Sequence, residues 1–294
     1  MGPRGPAARR VGTIALVVAG IAALVTAVMI TMWSEPSTDA GPRSTSNGPP
    51  STAPSTAPST APSTAPSTAS SGSDTVGSPG GPPGDLLTGT DDFVVLDPGR
   101  WQVFHGSGGP PGFYNRANVV ASDGEAHLTA RVGSTAGMCW CGPQAGRQIY
   151  GRWEIRARMD VGKGYGPTLL LWPDSGNQAV GGRVDIMTLP TGDRRQMVST
   201  VVYGSALRTA EHTETGNFTR WHTYAVDWQP GHLDLYLDGV RIQHLTDPAA
   251  IPRTPMHLAV QVDMGDGARM PKPDATTPAT VALHLDWVRS YRGG

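Results

Sequence analysis

Two thiols two residues apart, Cys139 and Cys141, are the first residues whose type and spacing can support chemistry. On a β-strand their side chains would point to the same face. That placement suits a pair of reduced thiols, or an unusual bridge that closes a small, strained ring. They are the only two cysteines in the chain, so they cannot form a disulfide framework. Two ligands are too few for a zinc site, and we expect neither a metal nor a cofactor.

The beginning of the chain of 294 residues has the composition of a membrane anchor. Residues 1–10 form a basic tail with three arginines and no acid. Residues 11–34 carry no charge and are long enough to cross a bilayer core of about 30 Å. The positive-inside bias places the tail in the cytoplasm and everything after the span outside the cell membrane. This predicts a single-pass protein with an extracytoplasmic C-terminal domain, and the alternative is a secreted protein made by signal cleavage.

Residues 35–86 form a linker that cannot build a core, because they contain almost no large apolar side chains. Ser51–Ala65 repeats the tetrad Ser-Thr-Ala-Pro, which favours an extended, disordered and semi-stiff stalk. Residues 87–294 contain all but one of the eight tryptophans and are long enough for one packed domain. The formal net charge of −1 and the lack of a basic stripe argue against a nucleic acid partner.

The last 208 residues or so read as strands throughout. In Tyr150–Met159 apolar and charged residues alternate, which indicates a strand with one buried and one wet face. Asp238 and Gly239 stand between two apolar runs, a signal for a two-residue hairpin with positive φ. Ten or more short strands and no sustained helical stripe predict an all-β double-sheet sandwich or jelly roll.

Five segments, in this order, resemble glycoside hydrolase family 16, the laminarinase, lichenase and related β-glucanase group. They are Tyr150–Arg158 (family pattern Y-G-R-x-E-x-R), Gly162–Pro173 (G-x-G-x-W-P-A-x-W-L), Asn217–Trp228 (H-x-Y-x-x-x-W), Leu233–Gly239 (Y-x-D-G) and Leu285–Tyr291 (D-Y-V-R-V-Y). The resemblance covers residues 90–292. It implies a concanavalin A-like jelly-roll β-sandwich of two antiparallel sheets over residues 87–294.

Members of this family hydrolyse glycosidic bonds with retention, using two carboxylates on one strand. The pattern is E-x-D-x-x-E or, without a β-bulge, E-x-D-x-E. One carboxylate attacks the anomeric carbon, and the other carboxyl group protonates the leaving oxygen. The two carboxyl groups are about 5 to 5.5 Å apart. Offsets of two and four keep side chains on one face of a strand, and an offset of five does so only across a bulge.

The matching segment of this chain lacks both catalytic carboxylates. Arg183 stands at the nucleophile position, and the middle Asp185 is retained. The acid/base position is Thr188 if the strand is bulged and Met187 if it is not. One carboxylate beside a guanidinium cannot supply both a nucleophile and an acid, so we expect no catalytic residue.

Other positions of the family's cleft are also changed. Gly166 and Leu170 replace the family's two tryptophans, and Val202 replaces a histidine. The residues that could still bind carbohydrate, as the resemblance implies, are Tyr165, Trp172, Arg183, Asp185, Tyr203 and Gln261, with Trp140 as a third aromatic platform. Trp172 as a core or rim residue, and an Arg183–Asp185 pair that only neutralises itself, are the competing interpretations.

We therefore expect a membrane-anchored, catalytically degenerate family member that binds polysaccharide or another glycan of the cell envelope. One alternative is a working hydrolase or transglycosylase on β-glucan-type polysaccharide, with carboxylates from loops such as Asp174, Asp193, Glu211 or Glu214. The other is a protein-interaction module that binds no glycan. A groove filled by side chains, without an exposed aromatic floor, would favour that last role.

Overall fold

The computed structural model describes residues 86–107, 112–145 and 147–292. The basic tail, the predicted span at 11–34 and nearly all of the linker at 35–86 lie outside these residues. Within the described part of the chain, no helix has the length and apolar character needed to cross a bilayer. The two described helices are short, a 3₁₀ turn at Arg116–Asn118 and α1 at Gln178–Gly181.

Two antiparallel sheets contain nearly all the strands, as the sequence predicts. The eight-stranded sheet consists of β1 (Leu86–Asp91), β5 (Val119–Ser122), β6 (Glu125–Arg131), β8 (Gly151–Met159), β13 (His222–Trp228), β14 (Leu233–Leu237), β15 (Val240–Leu245) and β17 (Thr280–Arg292). The seven-stranded sheet consists of β2 (Gln102–Val103), β7 (Ala136–Cys139), β9 (Tyr165–Pro173), β10 (Arg183–Thr188), β11 (Gln196–Tyr203), β12 (Arg208–Thr215) and β16 (Met256–Met264). A separate two-stranded ribbon pairs β3 (Gly106–Ser107) with β4 (Phe113–Tyr114).

The order of strands shows the sandwich topology. The larger sheet runs β15-β14-β13-β8-β17-β6-β5, with β1 paired to β17, and the smaller runs β12-β11-β10-β9-β16-β7-β2. Neighbours in space are mostly distant in sequence, as in a jelly roll. Each sheet therefore has one face packed on the core, while the opposite face of the seven-stranded sheet, called the outer face below, is available for a site.

The alternation in β8 packs one set of side chains into the core. Trp153 and Ile155 are fully buried there. The opposite face is less wet than the sequence predicts, because Arg152 and Glu154 are also buried. The Arg152 Nε donates to Glu154 Oε1 at 2.8 Å, and the Tyr291 hydroxyl donates to Glu154 Oε2 at 3.3 Å. Charge pairing thus allows both groups to leave water.

A buried guanidinium ties together the turns at one end of the sandwich. Arg194 has no exposed surface, and burial lowers its pKa to about 10, so it stays charged at neutral pH. Its nitrogens donate to five backbone carbonyls, those of Asp160, Gly162, Tyr165, Leu189 and Thr191. Arg194 therefore fixes the end of β10, whose residues form the site described next.

The predicted hairpin between β14 and β15 has the expected turn, with φ of 49° at Asp238 and 79° at Gly239. Asp238 Oδ2 lies 2.6 Å from His222 Nδ1, and the other histidine nitrogen lies 3.1 Å from the Asn217 carbonyl oxygen. Asp238 Oδ1 also accepts from the Thr223 N–H at 2.8 Å. His222 is thus a hydrogen-bonded part of the scaffold.

Candidate functional site

A β-bulge in β10 decides which side chains share its outer face. Arg183 and Asp185 pair in register with Val202 and Thr200 of β11, and the register then shifts before Thr188. The shift against β9 falls between Asp185 and Met187. Ile186 and Met187 both enter the core as a result, and Thr188 returns to the face of Arg183 and Asp185. Thr188 faces Thr168 of β9, with 3.4 Å between the hydroxyl oxygens.

The two charged residues of β10 are held to each other. Arg183 Nη2 donates to Asp185 Oδ2 at 2.9 Å, and Nε lies 2.8 Å from Oδ1 at an angle too bent for a hydrogen bond. The guanidinium is also fixed by Gln178, whose Oε1 accepts from Nη1 at 2.9 Å. Gln178 is presented by α1, which is capped by the Asn177 side chain accepting from the Ala179 N–H. Asp185 is therefore a neutralised carboxylate, 4% exposed.

An apolar patch continues along the outer face from the charged pair. Leu170 and Trp172 of β9 pack with Ala259 of β16 and with both cysteines, apart from the main core. Trp172 is only 6% exposed, which fits the competing interpretation of a packing residue. Its indole Nε1 has no hydrogen-bond partner among the described residues. A buried donor of this kind costs free energy until an acceptor satisfies it.

The two cysteines are joined in a disulfide bridge, the linked form of the two that the sequence allows. A nitrogen of His257 and both sulfurs lie within 4.8 Å of one another. The Nδ1 of this histidine is 2.6 Å from Asp174 Oδ1, and Arg147 Nε is 3.4 Å from Asp174 Oδ2. Because both sulfurs are in the bridge, this group offers no thiolate ligands to a metal in the oxidised protein.

The far end of the outer face is filled by a loop. A Cβ built on Gly166 would lie 1.7 Å from the sulfur of Met270, which belongs to the connection between β16 and β17. From the same loop, Arg269 reaches Glu211 of β12, with 3.7 Å between Nη2 and Oε1. The loop thus occupies the position at which the family pattern has a tryptophan side chain. It fits there only because residue 166 has no side chain.

Polar and aromatic groups close the side of the face near β7. The Tyr114 hydroxyl donates to Asp263 Oδ1 at 2.6 Å, and Gln261 Nε2 donates to Asp263 Oδ2 at 2.6 Å. Burial raises the pKa of Asp263, and burial followed by the Asp263 charge raises the pKa of Tyr114. The Phe104 and Tyr114 rings meet edge to face, with centroids 5.3 Å apart. Gln261 Oε1 is buried without a partner in the described chain.

Three of the residues expected to bind carbohydrate do not face this site. Trp140 lies in the main core, edge to face with Trp101 and Trp153, so it offers no platform to a sugar. Tyr165 also belongs to the main core, because it alternates with Gly166 on β9. Tyr203 packs against the core edge beneath Arg208. Neighbouring residues of a strand point to opposite faces, so Tyr165 and Tyr203 lie opposite the outer-face residues Gly166 and Val202.

The structure brings together Trp172, Arg183, Asp185 and Gln261 on the outer face. Sequence reasoning missed Tyr114, Phe104, Gln178 and Met270, which reach the same face from loops, short strands and a one-turn helix. Tyr114 and its partner Asp263 are 149 residues apart, and no local pattern in the sequence connects them. Gln178 is five residues before Arg183 and is presented by a single helical turn, for which the preceding Asn177 is the one local signal, because asparagine is a common helix N-cap.

Of the four acids proposed as substitutes, Asp174 and Asp193 lie on loops as expected, whereas Glu211 and Glu214 belong to β12, and each of the four has a partner of its own. Asp174 faces His257, Glu214 lies 2.7 Å from His212, and Asp193 is exposed. Glu211 differs, because it pairs in register with Thr200, which pairs with Asp185 on the other side. Directly opposed residues point to the same face, so Glu211 and Asp185 share the outer face two strand spacings apart, about 9 to 10 Å between backbones.

Comparisons with known proteins agree with this architecture. Residues 113–289 match the model of "Glycosyl hydrolases family 16". A beta-glucanase of Rhodothermus marinus is 29% identical over 197 residues, which are 58% of this chain and 64% of that protein. A beta-glucanase of Paenibacillus macerans is 37% identical over 73 residues, 25% of this chain and 23% of that protein. This chain thus spans less than two thirds of the length of either relative.

Solved structures share the fold. The laminarinase catalytic domain from Thermotoga maritima MSB8 superposes with a TM-score of 0.63 and 22% identity, covering 71% of this chain and 99% of that one. The endo-beta-1,3-glucanase of Pyrococcus furiosus gives a TM-score of 0.62 and 20% identity, covering 71% and 94%. Identities this low establish the sandwich architecture and leave the chemistry to the residues of this chain.

Proposed function

The chain belongs to glycosyl hydrolases family 16, and on that premise we propose that it is a catalytically degenerate member that binds β-glucan-type polysaccharide at the cell envelope. The family membership supports a polysaccharide as the partner. The residues of β10 support the loss of hydrolysis, and the composition of the N-terminal residues supports the envelope location.

The Arg183–Asp185 pair carries the proposal. A retaining glycosidase needs one carboxylate as nucleophile and a second carboxyl group about 5 to 5.5 Å away. The bulge brings Arg183, Asp185 and Thr188 to one face, and only one of the three has a carboxylate. That carboxylate is neutralised by the guanidinium. A threonine hydroxyl is too weak an acid to protonate a leaving alkoxide as the family's carboxyl group does.

Unsatisfied polar groups support sugar binding at the same face. The Trp172 Nε1 is a buried donor and the Gln261 Oε1 a buried acceptor, both without partners in the described chain. Sugar hydroxyls both donate and accept, so a bound glycan would satisfy each atom. Arg183, with 16% of its side chain exposed, offers charged donors beside Trp172 on the neighbouring strand.

The tether is proposed from sequence alone. An uncharged segment at residues 11–34 would hold the chain in the membrane, and the proline-rich residues 35–86 would space the sandwich from its surface. We expect the full chain to fractionate with membranes, with residue 1 or 2 at its N-terminus by mass spectrometry. A mature N-terminus near Ala40 would show instead that the protein is released by cleavage.

The binding proposal is tested with the purified full chain on mixed-linked and β-1,3 glucans and on galactans, scoring both pull-down and reducing-sugar release. We expect retention on a β-glucan without sugar release, and weaker retention for Arg183→Gln and Trp172→Ala. Arg156→Gln and Trp287→Ala are matched controls, because Arg156 pairs with Asp286 and Trp287 stacks on Arg289, all in the other sheet. Thermal unfolding of each variant separates lost binding from lost structure.

Three results would contradict the proposal. Reducing-sugar release by the wild-type chain would show an active enzyme. Retention that both outer-face variants leave unaltered would place the glycan elsewhere. No retention on any polysaccharide would favour the protein-interaction module, which the low exposure of Trp172 fits.

A second candidate function, hydrolysis by a rearranged pair of acids, is favoured by the common face of Asp185 and Glu211. Carboxyl groups about 6.5 to 9.5 Å apart leave room for the attacking water of an inverting enzyme. Arginine partners hold both acids, Arg183 on one and Arg269 on the other. This function requires sugar release that Glu211→Gln abolishes and that Glu214→Gln preserves. Glu214 is three positions further along β12, so it points to the opposite face from Glu211.

A further inference from the structure

Two histidines on the eight-stranded sheet form a compact group with a glutamate. His127 of β6 and His284 of β17 are directly paired across the two strands, and their Nδ1 atoms are 2.9 Å apart. Glu125, two residues before His127 and on the same face, places Oε2 3.6 Å from His284 Nδ1 and 4.0 Å from His127 Nδ1. We call Glu125, His127 and His284 the two-histidine cluster. It belongs to a different sheet from the outer face described above.

The spacing fits one bound ion. Imidazole nitrogens lie about 2.0 to 2.1 Å from zinc, so two of them on one ion are roughly 2.9 to 3.4 Å apart. The observed distance of 2.9 Å between the Nδ1 atoms falls in this range. The glutamate oxygen, 3.6 Å from His284 Nδ1 and 4.0 Å from His127 Nδ1, must approach these nitrogens by at least about 0.2 and 0.6 Å to share the ion. All three side chains start from neighbouring strands, so little freedom is lost when they bind.

A carboxylate behind His284 sets its tautomer. Asp160 Oδ1 lies 3.1 Å from His284 Nε2, and Asp160 Oδ2 accepts from the Ala282 N–H at 3.2 Å. With the Nε2 proton directed at Asp160, neutral His284 presents a bare Nδ1 to the cluster. His127 Nδ1 then carries the hydrogen of the Nδ1–Nδ1 contact, and a shift of that proton to Nε2 frees a second lone pair. A carboxylate that orients a histidine in this way is the usual support of a metal ligand.

The charges around the cluster favour a cation. Glu125 and Asp160 are two carboxylates, and Arg158 is the guanidinium between them, with contacts of 3.9 Å and 3.7 Å. The described neighbours therefore leave a net charge of about −1 when the histidines are neutral. The cluster is partly exposed, so an ion can enter from solvent.

From this geometry we infer that the two-histidine cluster is a binding site for a borderline divalent transition metal ion such as Zn²⁺, with His127, His284 and Glu125 as ligands and Asp160 as the positioning carboxylate of His284. Two imidazoles select Zn²⁺, Ni²⁺, Co²⁺ or Cu²⁺ over Ca²⁺ and Mg²⁺, which prefer oxygen ligands. Water completes the coordination on the exposed side. The site is independent of glycan binding.

The test uses the full chain after removal of metals with EDTA, titrated with Zn²⁺ by calorimetry near neutral pH. We expect one ion per chain, and at least a tenfold loss of affinity in His127→Gln and in His284→Gln. Asp160→Asn should weaken binding about 10- to 100-fold by releasing His284. His212→Gln is the matched control, since His212 also touches a carboxylate, that of Glu214, but has no second histidine. Any affinity of the chain for Ca²⁺ should be the same in the wild type and in both histidine variants.

A second measurement protects the test from variants that do not fold. X-ray absorption of the zinc-loaded wild-type chain should show two imidazole ligands on the ion. Absence of Zn²⁺ binding to the wild-type chain would overturn the inference. So would affinities unchanged in both histidine variants, or an absorption spectrum with no imidazole.

Discussion

The sulfur of Met270 occupies the space that a side chain at position 166 would need, since a Cβ on Gly166 would lie 1.7 Å from it. The loop after β16 can therefore lie over the outer face only because residue 166 is glycine. The backbone of Gly166 is not in the left-handed region, so the demand for glycine is purely one of space. In the family pattern the corresponding residue is a tryptophan, and this chain has exchanged that ring for a packed loop.

Gly166→Ala should destabilise the protein by about 1 to 3 kcal/mol, because overpacking forces Met270 or its loop to move. Urea unfolding measures the loss. In the double variant with Met270→Ala, most of the destabilisation caused by the added methyl group should disappear. The two substitutions are then coupled energetically. Gly231→Ala is the control, because a Cβ there meets nothing within 4 Å. Strictly additive effects of the two changes would show that the residues do not touch.

If the proposed function is right, two carboxylates added to β10 should give the chain hydrolytic activity. The bulge places residues 183 and 188 on one face, so Arg183→Glu combined with Thr188→Glu recreates the pair of acids that the retaining mechanism requires. We expect the double variant to release reducing sugar from a β-glucan, about 10² to 10⁴ times faster than Arg183→Glu alone. Arg183→Glu combined with Met187→Glu is the matched control, because residue 187 faces the core. Equal rates from both double variants would refute the bulged frame.

The buried guanidinium of Arg194 should tolerate no replacement. Its side chain supplies donors to five carbonyls, whereas a lysine has three donors on one atom. Each buried carbonyl left unpaired costs about 1 to 3 kcal/mol, so Arg194→Lys should lower the free energy of unfolding by about 2 to 5 kcal/mol. The adjacent Arg195→Lys is the control and should change it little. Similar unfolding midpoints in urea for the two variants would contradict the assigned role.

The pair of His222 and Asp238 should make stability depend on pH. The hydrogen bond to Asp238 raises the pKa of His222 above 6.5, against the opposing effect of burial. Burial acts to raise the pKa of Asp238, but hydrogen bonds from His222 and Thr223 outweigh it, and the pKa falls below 3.8. The contribution of the histidine is therefore complete below about pH 6.5 and is lost as the pH rises through its raised pKa. The contribution of the aspartate is present above about pH 3.9 and is lost on acidification.

The measurement for this pair is the difference in unfolding free energy between the wild type and His222→Gln across pH 4 to 9. We expect the difference to be largest at about pH 5 to 6 and to shrink above the raised pKa of the histidine. Asp238→Asn should remove the same pH dependence, which makes it the partner control. A difference that grows between about pH 6 and 9 would mean that the neutral imidazole is the stabilising form.

Local patterns were sufficient for the sheets. Alternation in β8, the Asp238–Gly239 turn and the five family-like segments predict two antiparallel sheets, and the structure has them. They are sufficient because strand periodicity and turn geometry depend on neighbouring residues. That residues 183, 187 and 188 are not carboxylates is likewise readable from residue types alone.

Only the tertiary structure decided which side chains meet. The bulge after Asp185 is set by pairing with β9 and β11, and it chooses Thr188 over Met187 for the outer face. Trp140 and Tyr165 lie in the main core and Tyr203 packs at its edge, a placement that depends on the register of each strand. The meetings of Met270 with Gly166, and of His127 with His284, join segments 104 and 157 residues apart. Distances of that kind arise from the order of strands in the sheets, which no local sequence pattern encodes.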